Sequence, residues 1–167
     1  TPIAINNPSV AKDLSGKVIF VTGAAGSIGT EISKQLGSYD VKELVLIDQS
    51  ESALYELQQE LNAKNRTNVV SVIADVRDAV RMNVLFKRYR PELVFHAAAY
   101  KHVPMMEAFP FEAVKINVFG TKHMADLSLK YGVKRFVMIS TDKAVNPTSI
   151  MGATKRVAEL YISYLST

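Results

Sequence analysis

The sequence predicts an α/β protein: a doubly wound parallel sheet of five or more strands with helices on both faces. Three observations carry that expectation. Short β-branched apolar runs alternate with amphipathic segments along the 167 residues. The first run passes directly into a glycine-rich turn that opens a helix. The last run ends in a cluster of hydroxyl, acidic and basic residues, and strand ends are where open α/β sheets place their chemistry.

Residues 1–16 hold Pro2, Asn6, Asn7, Pro8 and Gly16 with little periodicity and read as a linker from an upstream region. The folded domain is then 17–167. Lys17 to Thr22 (K-V-I-F-V-T) is a short buried strand, followed by Gly23-Ala24-Ala25-Gly26-Ser27-Ile28-Gly29, after which Ile28, Ile32 and Leu36 recur at helical spacing. In such a unit Gly23 permits the tight turn, Gly26 lets the backbone approach a pyrophosphate, and Gly29 brings helix and sheet together. The helix N-terminus offers free N–H groups and a positive dipole end to phosphates. This is a Rossmann-type dinucleotide site.

Its context agrees. Glu43 to Ile47 (E-L-V-L-I) is a second strand that ends at Asp48, nineteen positions beyond Gly29. An acid there accepts the adenosine ribose hydroxyls and repels a 2′-phosphate, which favours NAD over NADP. The cofactor set on this side is Gly23, Ala25, Gly26, Ser27, Ile28, Gly29 and Asp48.

Leu54, Leu57 and Leu61 mark the next helix, and Asn68 to Ile73 the third strand. Asp75, with Val76, lies beside the adenine or is simply the acid of a helix N-terminus; the residues favour neither. Val80, Val84, Leu85 and Tyr89 form a helix stopped by Pro91. Leu93 to Phe95 runs into His96-Ala97-Ala98-Ala99, and the three alanines are small enough for a cofactor to lie on them. His96 reads as a packed histidine, since nothing nearby spaces like a triad or a metal set. Tyr100, Lys101 and His102 border the nicotinamide or a substrate, or are solvated, and Lys101 is the candidate substrate contact.

Phe111 to Tyr131 is the longest helical stretch. Val114, Val118, Ala125 and Leu129 fall on one side, with Ile116, Phe119 and Leu127 roughly opposite. A helix apolar on two sides is buried on two sides. One side packs on the sheet; the other meets a partner subunit, together with the helix that carries Val157, Leu160, Tyr161 and Tyr164, or else a missing domain. A homodimer through 111–131 and 149–165 is the expectation. Lys134 to Ser140 supplies the fifth strand and leads into S-T-D-K-A-V-N-P-T-S-I-M-G-A-T-K, Ser140 to Lys155.

Composition narrows the class. Apolar residues are 48% and charged residues 22%, as in an ordinary globular domain. No apolar run approaches the roughly 20 residues that cross a bilayer, so no membrane contact is expected from this segment. Cys is absent, which removes disulfides and thiolate metal sites, and no metal is expected. The net charge of +4 is mild. Its densest patch, Arg81, Lys87, Arg88 and Arg90, reads as a solvated helix face rather than a nucleic-acid surface.

The motifs T-G-A-A-G-S-I-G (Thr22–Gly29), H-A-A-A-Y-K-H-V-P (His96–Pro104) and S-T-D-K-A-V-N-P (Ser140–Pro147), taken together, resemble the extended short-chain dehydrogenase/reductase superfamily. Within it the chain is similar to the polysaccharide-biosynthesis UDP-N-acetylglucosamine 4,6-dehydratases, in the large membrane-anchored branch where M-G-A-T-K replaces the usual tyrosine–lysine motif. The resemblance implies NAD as cofactor and a UDP-sugar as substrate, oxidised at C4, stripped of water across C5 and C6, and given its hydride back at C6. It implies Asp142 as the acid at the C6 oxygen, Lys143 as the base at C5, Thr141 near the C4 oxygen, and Lys155 on the nicotinamide ribose. Met151 stands where a tyrosine would act, and a thioether cannot relay that proton. Asn117 falls at a structural asparagine of the family and is counted with the substrate contacts.

The resemblance further implies a cytoplasmic domain whose parent is anchored in the inner (plasma) membrane. It also implies that the C-terminal substrate domain is missing, which would leave this chain inactive alone. A sugar 4-epimerase on the same scaffold, or an NAD-binding sensor or scaffold that has lost catalysis, are the competing readings.

Overall fold

The structure is a computed structural model that describes residues 8–64 and 68–166. Five strands form one parallel sheet: β1 (Val18–Thr22), β2 (Glu43–Asp48), β3 (Val69–Ile73), β4 (Leu93–His96) and β5 (Arg135–Met138), in the order β3-β2-β1-β4-β5. Helices α2 (Ser27–Gly37), α3 (Glu51–Lys64) and α4 (Ala79–Tyr89) make the first crossovers. Then come α5 (Val103–Ala108), α6 (Pro110–Ala113), a π-helical stretch Val114–Gly120, and α7 (Thr121–Lys130). A 3₁₀ turn at Asp142–Ala144 and α8 (Ile150–Leu165) close the described chain. This is the Rossmann-type, doubly wound sheet that the alternating pattern predicts.

The central strands are apolar at consecutive positions because they are covered on both faces. Ile19, Val21, Leu44 and Leu46 pack toward Leu36, Leu54, Leu57 and Leu61. Phe20, Val45, Ile47 and Val94 point the other way, onto Met82, Leu85, Phe86, Ile116 and Met124. Phe20 meets Phe86 edge-on at 5.2 Å between ring centres. Leaving β1, the chain goes to one side through β2 and β3 and returns to the other through β4. That reversal opens a crevice beyond Thr22 and His96, which are paired across β1 and β4.

Three expectations need correction. Residues 8–14 are not linker: Pro8–Leu14 forms a helix, α1, whose Leu14 is buried in the core and whose Asp13 pairs with Arg135 at 3.2 Å. Residues 1–7 lie outside the described residues. In α4, Val80 and Val84 are exposed, and Met82, Leu85 and Phe86 form the inner face.

The third concerns the long helix. Phe119 and Leu129, assigned to opposite sides by a 3.6-residue count, are 49% and 60% exposed, whereas Ile116, Met124, Ala125 and Leu127 are buried. The cause is the π-helical stretch. Its wider turn resets the phase between Val114 and Gly120, so positions before and after it no longer share one count.

Candidate active site

The glycine turn is shaped by contacts that admit no side chain. Gly23 has φ +66°, and a Cβ there would lie 2.5 Å from the Ala98 amide nitrogen. At Gly29 a Cβ would lie 2.0 Å from the Gly23 carbonyl oxygen. Gly26 is less constrained, with its nearest neighbour at 3.3 Å. Asp48 finishes the turn from β2. Its Oδ2 accepts from the Ala25 N–H at 3.0 Å and its Oδ1 from the Ser50 N–H at 2.9 Å.

These elements line a crevice of about 240 Å³ at the carboxyl ends of the strands. Of the expected cofactor residues, Gly23, Ala25, Gly26, Asp48, Asp75, Val76, Ala97, Ala98 and Ala99 line it. Ser27, Ile28 and Gly29 stand behind it at the start of α2, and Ile28 is about half exposed. Gln49, Ser50, Tyr100 and Ile116 also line the crevice. The first two follow Asp48 directly, so the strand end was the available signal. Ile116 arrives from a distant helix, and no spacing announces it.

Asp75 is not the acid that caps the next helix. The terminal acid of α4 is Asp78, whose carboxylate accepts from the Arg81 N–H at 2.9 Å. Asp75 instead walls the crevice, gripped by Arg77, with Nε at 2.9 Å and Nη2 at 2.6 Å from Oδ2. That guanidinium holds the Asp75 carboxyl below its usual range.

His96 is packed, as its surroundings in the sequence suggest. It is fully buried, with Thr22 Oγ1 at 2.7 Å from Nδ1 and Thr121 Oγ1 at 2.9 Å from Nε2. Burial, followed by the positive charge of Lys155, pushes its pKa down to about 3. It therefore stays neutral at physiological pH.

Beyond β5, the polar residues gather in the 3₁₀ turn and on α8. Thr141 Oγ1 donates to Asp142 Oδ1 at 3.0 Å, and Lys143 Nζ lies 3.5 Å from the same oxygen. Both charged side chains face solvent, Asp142 at 88%. The Thr141 hydroxyl, then the Lys143 charge, hold the Asp142 carboxyl below its usual range. The turn rests on α8 where a Cβ at Gly152 would lie 2.2 Å from the Lys143 carbonyl oxygen. No spacing pattern around Gly152 announces that role.

Lys155, one turn further along α8, is buried and donates to the Ile139 carbonyl at 2.6 Å. Burial lowers its pKa to about 8, against a partial opposing pull from Glu159. It does not line the crevice itself.

Three expected site residues are placed differently. Met151 is 2% exposed, packed against Met106 and Ala113 with Tyr100, Val103 and Ile150 around it, so it presents no atom to a substrate. Asn117 is fully buried and fully engaged: Oδ1 accepts from Tyr100 N–H, and Nδ2 donates to Tyr100 carbonyl and Thr154 Oγ1. It serves as a structural brace and has no free polar atom for a sugar. Lys101 Nζ donates to Ser27 Oγ at 2.9 Å, which carries its charge to the glycine turn.

Among the described residues there is no cluster of His, Asp and Glu suited to a metal. No helix among them is long and apolar enough to cross a membrane.

Fold and crevice together define a nucleotide-binding domain of the extended short-chain dehydrogenase/reductase type. The chain belongs to the polysaccharide biosynthesis protein family, whose model matches residues 19–167. It is 44% identical over 167 residues to the capsular polysaccharide biosynthesis protein CapD of Staphylococcus aureus, covering 99% of this chain and 28% of that protein. Over 146 residues it is 35% identical to a UDP-N-acetylglucosamine 4,6-dehydratase (inverting) of Campylobacter jejuni, covering 87% and 42%. The X-ray structure of Pen from Bacillus thuringiensis superposes with a TM-score of 0.84 at 34% identity, over 90% of this chain and 47% of that one. UDP-glucose 4-epimerases are also among the relatives. The chain spans less than half the length of the curated relatives it matches.

Proposed function

We propose that this chain is the NAD-binding and catalytic-loop portion of a UDP-N-acetylhexosamine 4,6-dehydratase that works in polysaccharide or glycan synthesis. One observation carries the reading: an acid and a base, Asp142 and Lys143, share a turn seated at Gly152 on the helix that bears Lys155. An elimination across C5 and C6 requires such a pair, whereas an epimerase has no use for it.

The crevice fits NAD⁺. A dinucleotide phosphate needs close backbone approach, and the tight packing at Gly23 and Gly29 leaves no room for a side chain between the turn and its neighbours. Asp48 and the alanines at 97–99 offer an acceptor for ribose and a flat wall. When bound, NAD⁺ would supply the hydride acceptor for C4 and, once reduced, the hydride donor for C6. The chain's own residues do the rest. Lys155, which stands outside the crevice lining, is the residue that would hold the nicotinamide ribose, and its pKa of about 8 suits an ammonium that steers protons near neutrality. Lys143 takes the C5 proton and Asp142 protonates the departing C6 hydroxyl. Asp142 and Lys143 face each other as an ion pair in the present arrangement. Once the sugar covers them, a proton must therefore first pass from the Lys143 ammonium to the Asp142 carboxylate, which leaves one as the acid and the other as the base. Thr141 Oγ1 stands beside the C4 oxygen.

The full-length protein is proposed to be a homodimer. The long helix and α8 pack on each other, and each carries large apolar side chains outside, Phe119 and Leu129 on one and Val157, Leu160 and Tyr164 on the other. The domain is proposed to face the cytoplasm, held by a membrane-anchored parent.

The test incubates the full-length protein that carries this chain with UDP-N-acetylglucosamine and NAD⁺. Loss of one water by mass spectrometry, abolished in Asp142→Asn and Lys143→Met, is the expected result. An unchanged mass with an inverted C4 centre would establish the epimerase instead.

A further inference from the structure

The peptide that ends the fifth strand is held by α8 at two points. Lys155 Nζ donates to the Ile139 carbonyl at 2.6 Å, and Ser140 Oγ donates to Glu159 Oε1 at 2.5 Å. Lys155 and Glu159 lie one turn apart, so both arms reach from one face of the helix. The second Glu159 oxygen accepts from Arg156 Nη1 at 2.9 Å. Both oxygens of this carboxylate are therefore engaged and its orientation is set. Ser140 is the residue from which the Thr141–Asp142–Lys143 turn departs, and the far end of the turn rests on Gly152 of the same helix. No motif singled out in the sequence gives Glu159 a role.

We propose that Glu159 is a positioning residue of the site, which holds Ser140, and with it the start of the Asp142–Lys143 turn, in fixed relation to Lys155. The proposal rests on the reading of Asp142, Lys143 and Lys155 as the reacting groups.

The carboxylate has a second effect, through its charge. Burial disfavours the Lys155 ammonium, and Glu159 is the anion that works against it. The other charged groups around Lys155 do not offset that burial. His96, on β4, is neutral. Asp142 and Lys143 compensate each other in solvent. Arg156 is spent on Glu159 itself. Removing the Glu159 charge therefore moves the Lys155 titration to lower pH.

Two substitutions separate the two effects. Glu159→Gln keeps an oxygen for Ser140 and removes the charge, and Ser140→Ala removes the hydroxyl and keeps the charge. In the 167-residue chain labelled with [ε-¹³C]lysine, carbon NMR reads the Lys155 titration directly, and hydrogen exchange reads the amides of Thr141 to Ala144. Glu159→Gln is expected to lower the Lys155 midpoint by about half a pH unit or more, with exchange in the turn unchanged. Ser140→Ala is expected to leave the midpoint within about 0.2 unit and to speed exchange in the turn at least about threefold. A midpoint unmoved by Glu159→Gln, or exchange unmoved by Ser140→Ala, overturns the proposal. Neither measurement involves NAD⁺ or sugar, so failure here leaves the dehydratase reading standing, and an unchanged sugar mass leaves this result standing.

Discussion

Asn117 pairs with Tyr100 as a neighbouring strand would. Its Oδ1 accepts from the Tyr100 N–H at 2.9 Å, and its Nδ2 donates to the Tyr100 carbonyl at 3.1 Å. The remaining Nδ2 hydrogen goes to Thr154 Oγ1 at 3.0 Å, and Thr154 in turn donates to the Met151 carbonyl. One buried amide thus ties the loop after β4 to the helix that carries Lys155. It does so from within the π-helical stretch, whose altered phase turns it inward.

Removing that amide strands the Tyr100 N–H and carbonyl in a half-buried setting. Asn117→Ala is expected to cost about 2–4 kcal/mol of stability, since each orphaned group carries its own desolvation penalty. Asn117→Asp is expected to fare no better, because its second oxygen faces the Tyr100 carbonyl where a donor stood. Urea unfolding followed by circular dichroism checks both. A loss under about 1 kcal/mol in either would mean that the loop re-pairs with water and that Asn117 is not its brace.

How far this arrangement could be read in advance depends on the kind of contact. The strands were legible because Ile19–Val21 and Leu44–Ile47 are covered on both faces and so read as unbroken apolar runs. The glycine turn was legible because its steric demands recur at fixed spacing. Helix α1 escaped, since Leu14 is the one buried side chain among the described residues of so short a segment, and Pro8 and the asparagines before it suggest a loop. Asn117, Gly152 and Glu159 were ambiguous or silent for a common reason: their partners, Tyr100, Lys143 and Ser140, are brought to them only by tertiary docking. Met151 drew notice as a missing tyrosine, yet its burial follows from the position of α5, which no local pattern fixes.

Asp48 carries two duties that cannot be separated by simple removal. It is the acceptor proposed for the ribose, and it also fixes Ala25 N–H in the glycine turn. Asp48→Ala is therefore expected to weaken NAD⁺ binding by about tenfold to a hundredfold, a loss of about 1.4–2.8 kcal/mol, without gaining affinity for NADP⁺. Calorimetric titration of the chain with each dinucleotide checks this. Retained NAD⁺ affinity would remove Asp48 from both duties, and a gain for NADP⁺ would show that the glycine turn does not need its carboxylate.

Lys155 is held in place at the expense of stability. Its folded pKa of about 8 lies below the unfolded value of 10.5. Its contribution is therefore fully present above about pH 10.5 and is lost as pH falls toward 8. Near neutrality the native state bears a buried charge that the unfolded chain leaves in water. Lys155→Met is expected to raise stability at pH 7 by about 1–3 kcal/mol, while the full-length variant loses dehydration. Stability of the native chain should also climb between pH 8 and 10 more steeply than that of the variant. A variant less stable than the native chain at pH 7 would show that the bond to Ile139 outweighs the burial of the charge.

His96 predicts the opposite end of the pH scale. Its imidazole is lowered from 6.5 to about 3, first by burial and then by the Lys155 charge. Between those values the unfolded chain takes up a proton that the native chain refuses. The stabilising contribution is thus complete above about pH 6.5 and declines with acidification by roughly 1.4 kcal/mol per pH unit. His96→Asn breaks the bridge between Thr22 and Thr121 and is expected to lower stability at pH 7, but it also removes the titration. Urea unfolding at pH 7, 6.5, 6, 5.5 and 5 separates the two effects, because carboxylates remain largely ionised over that range. The native chain should lose stability steadily from pH 6.5 to 5, and the variant, weaker at the start, should lose distinctly less. Parallel curves would mean that protonated His96 is accommodated, and a variant as stable as the native chain at pH 7 would mean that the Thr22–His96–Thr121 bridge is not what holds β1 and β4 beneath the crevice.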